Sequence, residues 1–231
     1  MNLSDLPQDM MYDFALGYVR ANKANGFDVL GNDASPNGRI VTLGCGDWPI
    51  PLFYELNDEY QIYNGCTPGY TSAQCMLMLI RDCILLEPKK IICVCGYFNF
   101  AYSLGIGVSA KDEEILKSHP FVTPNHIKYY TFLTERKGLG NTEIYYGEDT
   151  NVPAYKTWLS DLKAMNAICD EFEIDFHAFL QPNPGTQNPL LNEYYKKATE
   201  LIKPFINFHT LNDTKNSARI AQNIRRVVWK D

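Results

Sequence analysis

The chain has no run of about 18 apolar residues, so no segment reads as a membrane-spanning helix. It has no surplus of positive charge: 21 Lys and Arg stand against 27 Asp and Glu, a net charge of −6. A nucleic-acid binder needs a basic face to neutralise phosphates, so no nucleic-acid partner is expected. The start, Met1-Asn2-Leu3-Ser4-Asp5, has neither a basic stretch nor an apolar core and does not read as a signal peptide. Internal repeats and low-complexity segments are also missing. The seven cysteines are odd in number, and several lie in apolar runs such as Ile91-Ile92-Cys93-Val94-Cys95. Such thiols read as reduced and buried, which suggests a cytoplasmic protein, not a disulfide scaffold. Cys93 and Cys95 would share one strand face. No second Cys/His pair stands at a useful spacing, so neither a metal site nor a cofactor is expected.

What is present fits one sizeable core, read as a single domain over residues 1–231. A stripe of Met11, Phe14, Ala15, Tyr18 and Val19 predicts a helix over 8–23. Residues 26–38, rich in Asn, Asp, Gly and Pro, read as a loop. Strands are expected at 39–43, 61–64, 90–95, 174–180 and 206–208. Between them, helices are expected from 49 to 56, 71 to 86, 158 to 172 and 190 to 202. Thr71-Ser72-Ala73-Gln74 is a capping box opening the second of these. A final helix, capped by Asn212 or Asp213, would reach 228. Residues 101–156 are irregular and read as an insertion or lid. Alternation of strand and helix predicts an α/β fold, a parallel sheet of about five strands with helices on both faces. Ligands bind such sheets beyond the carboxyl ends of the strands. Those ends fall near residues 44–49, 65–70, 96–100, 181–185 and 208–212.

These loops hold the most specific stretches. One is Tyr63-Asn64-Gly65-Cys66-Thr67-Pro68-Gly69-Tyr70-Thr71-Ser72-Ala73-Gln74, followed by Leu79-Ile80-Arg81-Asp82, Pro88, an apolar strand and Gly96-Tyr97-Phe98-Asn99. A second is Phe179-Leu180-Gln181-Pro182, after a helix led by Trp158. In these motifs and in its order of elements over 39–228, the chain resembles SGNH/GDSL hydrolases, a family of esterases and acyltransferases. The resemblance implies a three-layer α/β/α sandwich on a flavodoxin-like sheet. It also implies a pocket lined by Gly44, Gly46, Asp47, Trp48, Gly65, Gly69, Tyr70, Gly96, Tyr97, Phe98 and Gln181.

The residues that carry the family's chemistry are mostly replaced. The family's nucleophile is a Ser in the turn after the first strand; here Gly46 or Trp48 takes that position, depending on register. Cys45, beside it, is the candidate nucleophile, since a thiolate attacks well once its pKa is lowered. Cys66 takes the place of the Gly whose backbone N–H serves the oxyanion, and a backbone donor survives that change. Phe98 takes the place of the oxyanion Asn, with Asn99 one residue on. The family's Asp-x-x-His pair is missing; His209, in the matching region, is the candidate base, with no Asp three residues before it. His177, inside a strand, reads as a core residue.

Three readings follow. The first is a pseudoenzyme that binds a small acyl or glycan ligand, with weak or no esterase activity. The aromatic side chains of Trp48, Tyr70, Tyr97 and Phe98 suit such a ligand. The second is an active carbohydrate esterase or acyltransferase using Cys45 or Cys66, His209 and Asn99. The third is a phosphate or nucleotide binder at the start of the helix after Thr71, which lacks the Lys of a P-loop.

Overall fold

A computed structural model describes residues 10–13, 17–20, 27–32, 35–56, 59–104, 153–185, 187–211 and 216–229. Most of the irregular segment expected at 101–156 lies outside them, as do Asn212 and Asp213.

Five strands run parallel: β4 (Arg39–Gly44), β5 (Gln61–Asn64), β6 (Lys90–Cys95), β7 (Asp175–Leu180) and β8 (Phe208–Thr210). A sixth, β3 (Asp28–Leu30), pairs antiparallel with β5 at the edge, giving the order β3-β5-β4-β6-β7-β8. Counted among the parallel strands alone, this is the 2-1-3-4-5 order of flavodoxin-like sheets. The central strands carry apolar side chains on both faces: Ile40, Val41, Leu43, Ile91, Ile92 and Cys93 are fully buried. That is the pattern of a parallel sheet covered on both sides.

Helices α1 (Pro49–Glu55) and α6 (Ser217–Val228) cover one face. Helix α2 (Ser72–Met78), α3 (Tyr97–Ser103), α4 (Ala154–Glu171) and α5 (Pro189–Ile202) cover the other. Helix α2 continues through a π turn, Leu79–Cys83, and a 3-10 turn, Ile84–Leu86, to end where the sequence placed its stop. The larger core, around Met78, Trp158, Leu162 and Met165, lies under α2, α4 and α5. The smaller, around Leu52, Ile62, Phe179 and Ile224, lies under α1 and α6.

Four expectations are corrected. The helix over 8–23 is instead a two-stranded antiparallel ribbon, β1 (Met10–Asp13) with β2 (Gly17–Arg20), in which Tyr12 pairs with Tyr18 and Met11 with Val19. Gly17 inside a helix would cost about 1 kcal/mol, and Tyr and Val favour strands. The loop over 26–38 contains β3, which completes the sheet edge. The last helix is capped by Asn216, not Asn212 or Asp213; its Oδ1 accepts from the N–H groups of Ala218 and Arg219 at 2.9 and 3.3 Å. The Gly96-Tyr97-Phe98-Asn99 stretch is a loop only at Gly96, because α3 begins at Tyr97.

Candidate functional site

The carboxyl ends of β4, β5, β6 and β7 are laced together by backbone hydrogen bonds. Gly65 N–H donates to Thr42 O and Thr67 N–H to Gly44 O, both at 2.9 Å, and Gln181 N–H donates to Cys95 O at 2.8 Å. Cys45 N–H reaches across to Val94 O at 3.1 Å. At Gly44 the backbone has φ +112°, and a Cβ there would lie 1.9 Å from Val94 O. Only glycine lets the two central strands meet this closely. This is also the topological switch point of the sheet, where helices leave to opposite faces.

Around this lacing the sequence-derived residues divide. Gly46 and exposed Asp47 form the turn after β4. Trp48 is 1% exposed and belongs to the core under α1; its indole N–H has no hydrogen-bond partner among the described residues. Gly69 is half-buried, and Tyr70, fully buried, packs into the opposite core. Tyr97 and Phe98 are half-buried and meet edge to face at 5.0 Å. Gln181 is half-buried, with an Oε1 that lacks a partner among the described residues.

The four candidate catalytic residues lie in different settings. Cys66 is buried, and its N–H donates to Asn64 Oδ1 at 3.0 Å. Asn99 is buried in α3, where its Oδ1 accepts from Ser72 N–H at 3.0 Å and its amide donates to Ser72 Oγ at 2.8 Å. His209 is a strand residue on β8, its ring against Phe179 at 4.8 Å and stacked with His177 at 5.7 Å. Cys45 is half-buried at the switch point.

Two functional-looking residues lie outside the candidates that the sequence points to: Ser72 and Asp161. Ser72 Oγ, besides accepting from Asn99, donates to Asp161 Oδ2 at 2.5 Å. Burial pushes the Asp161 carboxyl up to about 6, the Ser72 hydrogen bond opposes this, and nearby Cys95 adds to it. The signal was available, since Asp161 interrupts the apolar stripe of Trp158, Leu162, Met165 and Cys169 on α4. With Thr71 N–H held by Gln74 Oε1 at 3.0 Å and Ser72 N–H held by Asn99, the first donors of α2 are engaged within the protein. The helix start is therefore poorly suited to a phosphate.

Below this network the Trp158 indole donates to Cys95 Sγ at 3.3 Å, and Cys93 Sγ lies 3.6 Å from it. Hydrogen bonds with Cys75 and Cys95, together with burial, hold the Cys93 thiol well above the usual range. Burial pushes Cys169 up to about 12 and raises Cys83 as well. Cys45 is the one thiol of the seven that is not buried. One equivalent of Ellman's reagent is therefore expected to react promptly with the native protein. All seven should react after unfolding, and Cys45→Ser should remove the prompt phase. Two or more prompt thiols would contradict the burial of the rest.

A cavity of about 210 Å³ opens at the carboxyl ends of β7 and β8, beside α5. Asn183, Asn192, Thr199 and Thr210 line it with Tyr195, over an apolar floor of Leu180, Pro182 and Leu211, with no charged side chain among the described residues. Tyr195 is fixed there by its hydroxyl, which donates to Gln181 O at 2.8 Å. A cavity of about 250 Å³ at the opposite end of the sheet is lined by Arg39, Glu87 and Lys89, away from every residue the sequence pointed to.

The fold is similar to that of solved lipase structures. A lipase from a goat rumen metagenome superposes with a TM-score of 0.52 at 10% identity, over 82% of this chain and 96% of that one. A protein described as a GDSL-like lipase from Parabacteroides merdae superposes with a TM-score of 0.50 at 11% identity, over 85% and 98%. No protein-family profile and no curated protein sequence matches the chain. The fold is that of SGNH/GDSL-type hydrolases.

Proposed function

We propose that this chain uses an SGNH-type fold to bind a small acyl or glycan ligand at the carboxyl ends of its strands, with weak or absent esterase activity. The observation that carries this reading is the state of Asn99. An oxyanion donor must aim at the reacting oxygen, whereas the Asn99 amide and carbonyl both bond Ser72 inside the protein. The Cys66 N–H, the other inherited donor, bonds Asn64. The nucleophile position holds Gly46 or Trp48, neither of which can attack a carbonyl. The amides and hydroxyls beside Tyr195, over an apolar floor, support a ligand that offers hydroxyls or an acyl chain.

A second reading, an esterase rebuilt on Cys45, is favoured by one observation: that thiol alone is accessible at the switch point. Hydrolysis of p-nitrophenyl acetate and butyrate separates the two. The expected outcome is no turnover above the buffer rate for the parent protein or for Cys45→Ala, Cys66→Ala and His209→Ala. Turnover by the parent that one of these substitutions abolishes would establish the enzyme and end the binding-only reading.

A further inference from the structure

At the amino ends of the central strands, the pleat sets three polar residues in one row. Side chains two apart on a strand share a face. Arg39 therefore follows Val41 and Leu43 onto the face under α2, α4 and α5. Gln61 follows Tyr63 there, and Lys89 follows Ile91 and Cys93. Register aligns the three: Arg39 stands opposite Gln61 in the ladder of β4 with β5. Lys89 N–H donates to Arg39 O at 2.8 Å, just before β6 begins. The extension of α2 reaches this row at Leu86, and Glu87 turns the chain back with φ +47°. Between these parts lies the cavity of about 250 Å³, lined by Ser35, Gly38, Arg39, Gln61, Glu87 and Lys89.

Arg39 is built into the wall of this cavity. It is half-buried, its Nη1 donates to Leu86 O at 3.1 Å, and its Cζ lies 6.0 Å from the centre of the Tyr63 ring. A carbonyl and a ring face orient a guanidinium without neutralising it. Anchoring through Nη1 leaves the Nε and Nη2 edge, which can grip two oxygens of a carboxylate or phosphate at once. Lys89 brings a second cation to the same cavity, a point charge on a flexible, exposed stem. Neither Arg39 nor Lys89 forms an ion pair among the described residues. Glu87 offsets one of the two charges, so the described lining is left positive in a chain whose net charge is −6.

We infer that this cavity binds a small oxyanion, a phosphate or a carboxylate, held by the Arg39 fork and the Lys89 ammonium. Its volume sets the size of the ligand. Pockets for drug-sized molecules run about 300–1,000 Å³, so this one suits an inorganic ion or a short-chain acid. Lys89 and Glu87 are exposed, which places the cavity at the surface. The site lies at the opposite end of the sheet from the acyl or glycan site proposed above and stands or falls separately.

The test titrates the full chain with sodium phosphate and, separately, with sodium succinate, at pH 7 and constant ionic strength. Calorimetry gives affinity and stoichiometry, and 1H–15N spectra follow the arginine Nε signals. The expected result is one bound ion per chain for at least one of the two, with a shift of the Arg39 signal. Phosphate alone would define a tetrahedral oxyanion site, and succinate alone a carboxylate site. Arg39→Gln and Lys89→Gln should each weaken binding about tenfold or more, the loss of one charge-assisted hydrogen bond. Glu87→Gln should tighten it about twofold or more, because a like charge is removed. Lys196→Gln takes the same charge from an exposed position on α5 and should leave affinity within about twofold. Circular dichroism checks that each variant is folded, and exposed Lys89 can be replaced without disturbing the core. No saturable binding of either ion, or undiminished affinity in a folded Lys89→Gln or Arg39→Gln variant, would overturn the site.

Discussion

Replacing Gly44 by alanine is expected to lower the melting temperature by about 10 °C or more, or to prevent folding altogether. Two costs combine. A Cβ at φ +112° occupies a region that L-residues rarely enter, at about 1–3 kcal/mol. The same atom would stand 1.9 Å from Val94 O and 2.6 Å from Val94 C, which are backbone atoms of the neighbouring central strand. Backbone cannot swing aside as a side chain does, so β4 and β6 would have to part, at a further cost of about 1–3 kcal/mol or more. The sum, about 4 kcal/mol, is a large share of a stability that is typically about 5–15 kcal/mol. Gly46→Ala is the control. Its φ is +103°, yet the nearest neighbour of a new Cβ is Trp48 Cδ1 at 3.6 Å, an ordinary contact. That variant should lose only a few degrees. Thermal melts of the pair separate conformational cost from collision, and a Gly44→Ala melt within about 2 °C of the parent would refute the close approach.

Asp161→Asn should stabilise the protein at pH 7.5 and leave it almost unchanged at pH 4. The carboxyl of Asp161 is pushed up to about 6 from 3.8, chiefly by burial. Between these values the folded state holds a proton that the unfolded state has released, so stability falls as pH rises through the window. The difference of roughly two pH units corresponds to at most about 3 kcal/mol lost by pH 7. An asparagine cannot ionise and still offers Ser72 a carbonyl oxygen, so its stability should lack this slope. Asp175 works in the opposite sense. Its carboxyl is held below the usual value: burial opposes this, and Lys90 and His177 prevail. Its contribution is present above the ordinary carboxylate range and fades as pH falls through its lowered pKa. That change occurs in both proteins and cancels in their difference. Urea unfolding at pH 4, 5, 6 and 7.5 would give the difference curve. A flat curve would mean that Asp161 is not desolvated as its surroundings imply.

Much of the scaffold could be read from local pattern. The short, β-branched apolar runs at Ile40–Leu43 and Ile91–Cys95 fit doubly covered strands, and the Thr71/Gln74 capping box marks the start of α2. The ribbon at Tyr12 and Tyr18 is not legible in the sequence, because its apolar residues satisfy a helical stripe as well as a strand pair. The last strand lies two residues later than its sequence suggested. Ile206, the apparent strand residue, is 95% exposed, and this shift carries His209 from a loop into β8. At the site, the loops were legible but the partners were not. Nothing local links Asn99 to Ser72, or His209 to His177; these pairs join residues 27 and 32 apart. Whether an Asn serves a ligand or a helix start is decided by which element packs over it, and that information is tertiary.

The antiparallel strand β3 has a consequence for association between molecules. Parallel sheets end in rows of unpaired amide and carbonyl groups that can template pairing with another chain. Here one border is closed by β3, three residues long, which covers β5 and runs against it. The opposite border, β8, is also three residues long and gives a second molecule little to extend. The long, sticky strands β4, β6 and β7 all lie inside these two short guards. Among the described residues, β3 thus leaves a second molecule only a three-residue border to pair with on that side of the sheet.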